Sequence, residues 1–176
     1  MSNISSLVRQ AIKTRLSNNI NGFNAKYSAI QSVYGTPSIT IDWSNTSQNF
    51  AWGRIPPDLM EETTNFIYPL LDISTERGQQ DPAQQRIKFM QFSGNILGVI
   101  EVHLTWDQEA ATDFETWPDA VIDAMYSSIN DPSIANNWGA GIVYNGDLNW
   151  AKGQIILGGE NWRRTCLFTA SYKVIL

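Results

Sequence analysis

The chain contains one cysteine, Cys166, and one histidine, His103. A single thiol cannot build an internal disulfide framework and fits a reducing compartment. One imidazole and one thiol cannot make a metal site based on His or Cys clusters. A Cys–His catalytic pair requires the fold to join the two, yet alternation puts Cys166 on an apolar strand face and His103 on a polar one. Cys166 therefore reads as a small core residue, and His103 as a surface strand residue. No acidic loop has calcium-binding spacing. There is no P-loop and no dinucleotide fingerprint, and the glycines before Ile142 and at Gly158–Gly159 lack the helix a phosphate cradle needs. No catalytic residue, metal or cofactor is expected, so an enzyme is not. Only paired carboxylates for glycoside chemistry stay open, because spacing alone does not test them.

Long apolar runs are missing as well. None approaches the roughly 18 residues a membrane span requires. The opening "MSNISSLVRQAIKTRL" is punctuated by Arg9, Lys13 and Arg15, unlike a signal peptide. The expectation is a soluble protein with no membrane partner, intracellular when made. At 176 residues the chain is expected to form a single domain, 1–176, large enough to bury a sizeable core without staples.

Charge is unevenly spread. The net charge is −5, and sequence-tolerant nucleic-acid binders are usually basic, so sequence-specific or general nucleic-acid binding is not expected. Between Met1 and Lys26 there are four bases and no acid. Between Asp107 and Asp123 there are six acids and no base. Two readings stand: two solvated helix faces of opposite sign, or a head-to-tail contact between copies through two complementary surfaces. On the second reading, Asp113, Asp119 and Asp123 face Arg9 and Lys13 of the next copy.

Periodicity outlines the elements. Ile4, Leu7, Val8, Ala11, Ile12 and Leu16 fall on one helical face, and Phe23, Tyr27, Ile30 and Tyr34 resume that spacing up to Gly35. "SITIDW" (38–43) reads as a short strand and 44–65 as an irregular insertion. "FIYPLLDI" (66–73) reads as a strand, with Pro69 confining it to an edge or a bulge. In 96–106 the apolar Ile96, Ile100, Val102, Leu104 and Trp106 alternate with Glu101, His103 and Thr105, the mark of a half-buried strand. "SGN" (93–95) reads as a turn ahead of it, with one long bulged strand as the runner-up. Phe114, Trp117, Val121, Ala124, Met125 and Ile129 predict a second main helix starting near Thr116, with Thr112, Asp113 or Thr116 as its cap. Asn145–Gly146 predicts a hairpin, and Gly158–Gly159 a turn into a last strand. The fold class is α+β: an antiparallel or mixed sheet with two main helices on one face.

The remaining stretch, "STERGQQDPAQQRIKF", is longer than a strand connection needs. Read as an extended loop over 74–88, it is glutamine-rich and nearly neutral, suited to hydrogen-bonded contacts. Arg77, Gln79, Gln80, Gln84 and Gln85 are its candidate partner-facing residues, with a plain surface loop as the alternative.

The layout resembles the tail terminator (tail completion) proteins of tailed bacteriophages, together with the neighbouring head–tail joining proteins. The resemblance rests on the basic amphipathic N-terminal helix, "FIYPLLDI", the polar arm, "EVHLTW", "WPDAVIDAMYSSI" and the final "RRTCLFTASYKVIL". It covers about residues 1–20 and 66–176. It implies an α+β fold and a non-enzymatic structural protein of the virion tail or neck, made in the host cytoplasm. It further implies a homo-oligomeric ring, a hexamer, whose partners are the tail tube protein and a head-completion or connector protein. DNA passes through the lumen of such a ring. A competing reading comes from the seven tryptophans, which suit the groove of a carbohydrate-binding, lectin-like module.

Overall fold

The computed structural model describes residues 4–53, 66–80, 93–134, 138–139 and 141–176. Helix α1 spans Ile4–Leu16 and buries Val8, Ala11, Ile12 and Leu16, the stripe its spacing predicts. Helix α2 spans Phe23–Tyr34 and ends at Gly35, whose φ of 66° is the left-handed cap that glycine supplies without strain. Helix α3 spans Thr116–Ile129. Pro118 lies in its first turn, where no intrahelical donor is lost. The N-cap position is Glu115, which makes no side-chain cap bond; of the three candidates Asp113, two residues earlier, supplies the capping bonds, its carboxylate accepting the N–H groups of Glu115 at 2.8 Å and Thr116 at 3.1 Å.

Among the described residues, seven strands form one sheet: β1 (Phe50–Trp52), β2 (Leu70–Gln80), β3 (Ser93–Asp107), β4 (Ile142–Tyr144), β5 (Asn149–Lys152), β6 (Ile156–Gly158) and β7 (Asn161–Ile175). Their order is β1-β2-β3-β7, with β4, β5 and β6 following one another along the far side of β7. β1 runs parallel to β2 and all other pairs are antiparallel. The fold is therefore α+β with a mixed sheet, as expected; among the described residues the two main helices, α1 and α3, are joined by α2, where helical spacing resumes from Phe23. The helices and sheet share one core, in which Ile12, Phe23, Tyr27, Val121 and Met125 meet Ile100, Val102, Phe168 and Tyr172.

Several expectations change. Ser93–Asn95 is not a turn but the start of β3, paired with β7 from Ser93↔Ile175 onward. Residues 38–43 are not in the sheet. Their backbone groups are met by side chains instead: Asn24 bonds both N–H and C=O of Ile41 at 2.9 Å, and Asn49 serves Thr40 and Asp42. Amide side chains here replace a strand partner. The presumed irregular insertion contains β1, and the strand expected at 66–73 begins only at Leu70, after Pro69. Asn145–Gly146 does not make a hairpin. β4 and β5 do not pair with each other; both pair with β7. From Tyr144 to Asn149 this edge advances five residues while β7 moves only three, from Tyr172 to Thr169. The extra residues bulge out, and the edge runs on as a broken strand. The Gly158–Gly159 turn is present, linking β6 to β7 with φ 62° at Gly159.

Gly98 shows how closely the layers meet. A Cβ there would lie 2.7 Å from Ile12 Cδ1 and 2.8 Å from the Tyr172 ring. Gly98→Ala is expected to cost about 1–3 kcal/mol through overpacking, read from the chemical denaturation midpoint.

Candidate subunit and partner interface

The bases of α1 sit at the β1 side of the sheet. The Lys13 ammonium lies 5.2 Å from the Phe50 ring centroid and 5.5 Å from that of Trp52, and the Arg9 guanidinium lies 6.0 Å from Trp52. Ser6, Arg9, Gln10 and Trp52 line a shallow cleft of about 270 Å³. Ile67, whose N–H donates to the Gln48 carbonyl at 2.9 Å ahead of β1, is exposed. This edge is thus basic with apolar and aromatic surface.

The acids of α3 sit at the opposite side. Lys152 of β5 bonds Glu115 at 2.5 Å and Asp119 at 2.6 Å, while Arg164 of β7 reaches Glu115 at 2.6 Å and the Phe114 carbonyl at 2.8 Å. These cations hold the Glu115 carboxyl below its usual range, and Asp119 with Glu115 raises Lys152. Asp113 is occupied as a cap, and its bonds to the Thr116 hydroxyl and backbone lower its pKa. Asp123 accepts the Tyr34 hydroxyl, which raises the phenol. Sequence reasoning found these acids but not their partners within the chain. The predicted residues are therefore not all brought together: Arg9 and Lys13 lie at one edge, and Asp113 and Asp119 at the other.

A third group was missed by sequence reasoning. Val143, Trp150, Ile155, Ile156 and Leu157 are exposed along the broken edge β4–β6, and Ile175 and Leu176 add to them at the end of the chain. Trp150 is 54% exposed. Register puts Trp150 and Leu157 on the helix face, opposite Phe168 and Trp162, beside the acids. The signal was present in "GQIILGG", but a run that short does not reveal that its strand lies at an edge. Edge strands with apolar side chains are templates for another chain, and bulges limit how they pair.

The polar arm is only partly a loop. Ser74–Gln80 continues β2 and pairs with β3, with a register shift between Thr75 and Arg77. Arg77 and Gln79 are exposed and, with Asn95, Leu97, Asn145 and Ser171, line a groove of about 560 Å³. Gln80 belongs to the strand, while Gln84 and Gln85 lie outside the described residues.

His103 is not a surface residue. It is 5% exposed, on the sheet face away from the helices, and that face also buries Leu70, Asp72, Val99 and Glu101. Burial, with Arg163 nearby, pulls its pKa down to about 4. Cys166 is on the opposite, helix-covered face, where burial pushes the thiol up to about 12. The two cannot form a catalytic pair across the sheet.

The tryptophans are mostly packed. Trp106 meets Trp117 and Phe114 edge-on, Phe114 meets Trp162, Trp138 meets Tyr144 and Tyr172, and Trp43 and Trp52 both meet Phe50. Such ring pairs account for six of the seven without a sugar groove.

No protein-family model matches the chain, and no curated protein sequence matches it. Among solved structures, it is similar to a chain from the virion of the native gene transfer agent (GTA) particle. The sequences are 11% identical, the TM-score is 0.42, and the alignment covers 98% of this chain and 99% of that one.

Proposed function

We propose that the chain is a non-enzymatic virion structural protein that closes into a homo-oligomeric ring at the tail end or neck. There it ends the tail tube and joins it to the head-completion proteins. The observation that carries this reading is the complementarity of the two opposite sheet edges. The β1 edge offers Arg9, Lys13 and Trp52; the β4–β6 edge offers Trp150 and Leu157 beside the acidic start of α3. Two different surfaces that fit each other give head-to-tail contacts, which form a ring when the rotation between copies closes. The Asp113–Asp119 region and the Arg9–Lys13 region would then pair between copies as a charge fringe around an apolar centre. Asp123 lies further along α3, beyond that fringe.

The groove at Arg77 and Gln79 is proposed as the surface for the tail tube or joining protein, because amide and guanidinium groups supply hydrogen bonds without demanding an apolar partner. Arg77→Ala with Gln79→Ala is expected to leave stability within about 0.5 kcal/mol, since both are exposed, and to weaken co-sedimentation with assembled tail tubes. Unchanged co-sedimentation would remove the groove from the reading. The reading frames on either side are expected to encode a head-completion protein and a tube protein.

A further inference from the structure

On the sheet face away from the helices, the register brings three ligating side chains together. Asp72 of β2 is directly opposite Glu101 of β3, and His103 follows two residues later on the same face. One ligand atom from each lies within 4.8 Å of the other two. All three are buried, at 1%, 6% and 5% exposure. His103 Nδ1 is 2.9 Å from Thr165 Oγ1, while Nε2 is buried with no hydrogen-bond partner. A buried ring nitrogen without a partner is costly unless something fills its lone pair.

We propose that Asp72, Glu101 and His103 bind a divalent transition-metal cation such as zinc, through His103 Nε2 and one carboxylate oxygen from each acid. An imidazole with two carboxylates is a set that zinc, manganese and iron accept. Donors around a tetrahedral zinc, at bonds of about 2.0–2.1 Å, lie roughly 3.4 Å apart, so a contraction of up to about 1.4 Å brings the three donors to bonding separation. Thr165 is the outer partner that fixes the ring: with Nδ1–H donating to its hydroxyl, Nε2 presents the lone pair. Two carboxylates against the nearby Arg163 leave one negative charge, which suits a dication better than an anion. A cavity of about 320 Å³, lined by Tyr68, His103, Arg163 and Thr165, reaches the ring and has room for water to complete the coordination. Both carboxylates also have other contacts within the chain, with which the metal competes. This inference does not depend on the ring reading.

The lone histidine makes the test direct. Zinc is titrated into tag-free, chelator-treated full-length protein, and the ring nitrogens of His103 are followed by NMR alongside calorimetry. One zinc per chain is expected, with Nε2 perturbed and Nδ1 still protonated. His103→Ala is expected to weaken binding at least tenfold. A wild-type His103 ring that does not respond to millimolar zinc overturns the proposal, whether or not the variant folds. So does a folded His103→Ala that binds zinc as well as wild type.

Discussion

Arg15→Ala is expected to lower the stability of the folded chain by about 3–5 kcal/mol, the cost of removing one side of a buried charged network. Arg15 is 2% exposed. Its guanidinium donates to the carbonyls of Ser128 at 3.2 Å, Ile129 at 2.9 Å and Asp131 at 3.0 Å, and also to that of Ile134. These are the orphan acceptors at the end of α3 and in the short turn after it. A cation there also meets the negative end of the helix dipole. Burial lowers the Arg15 pKa, with Asp131 opposing the effect, yet a guanidinium stays charged. Trp138 covers it, 5.0 Å from ring centroid to guanidinium. The alanine variant takes this donor from the carbonyls of Ser128, Ile129 and Ile134 under that cover, and leaves that of Asp131 with only the Ile134 N–H at 3.3 Å. A melting temperature lower by roughly 10 °C or more is expected for a chain of this size. Arg15→Lys should recover only part, because one ammonium cannot span acceptors arranged for a fork. A loss below about 1 kcal/mol would contradict this account of how α1 is tied to α3.

The second large effect concerns assembly. Trp150→Glu with Leu157→Glu is expected to weaken self-association by about 2 kcal/mol or more, roughly thirtyfold, because aromatic and apolar anchors carry most of an interface's energy. Both side chains are about half exposed in the single chain, so folding should lose only about 1 kcal/mol. The opposite edge is tested by Arg9→Glu with Lys13→Glu. That pair also gives up the contacts of both bases with the rings of Phe50 and Trp52, each worth about 0.5–1 kcal/mol. Loss of oligomer without loss of the thermal transition, followed by sedimentation and circular dichroism together, is the expected pattern for both.

Much of the fold was legible because long elements repeat their pattern. α1, α2, α3 and β7 each have enough residues for the period to show, and Gly35 and Gly159 mark their ends through a backbone requirement. Short pieces misled for identifiable reasons. Asn145–Gly146 supplies the positive φ of a turn, but it does not specify which strand the chain pairs with afterwards; the long β7 took both β4 and β5. "SITIDW" alternates like a strand because Ile39 and Ile41 are buried, yet its hydrogen bonds go to Asn24 and Asn49. "SGN" has turn composition, but Gly94 and Asn95 sit opposite Val174 and Lys173 and are held by that ladder.

The proposed interface was partly legible. The bases of α1 and the acids of α3 stand out in the sequence, and the opposite edges on which they lie follow only from the strand order. Lys152 and Arg164 are far from Glu115 in sequence, so their ion pairs could not be read there. His103 was placed on the correct face and in the wrong environment, since alternation reports sides of a strand and not what covers them. Asp72 joins it only through the β2–β3 register.

The ring proposal is tested most directly by native mass spectrometry of a one-to-one mixture of the two edge variants. Each variant retains one intact edge, so head-to-tail contact permits a single good junction between unlike chains. The account predicts that wild type forms a closed oligomer, that each variant alone is a monomer, and that the mixture stops at a heterodimer. A variant that alone keeps the wild-type oligomer, or a mixture that yields only monomers, would contradict it.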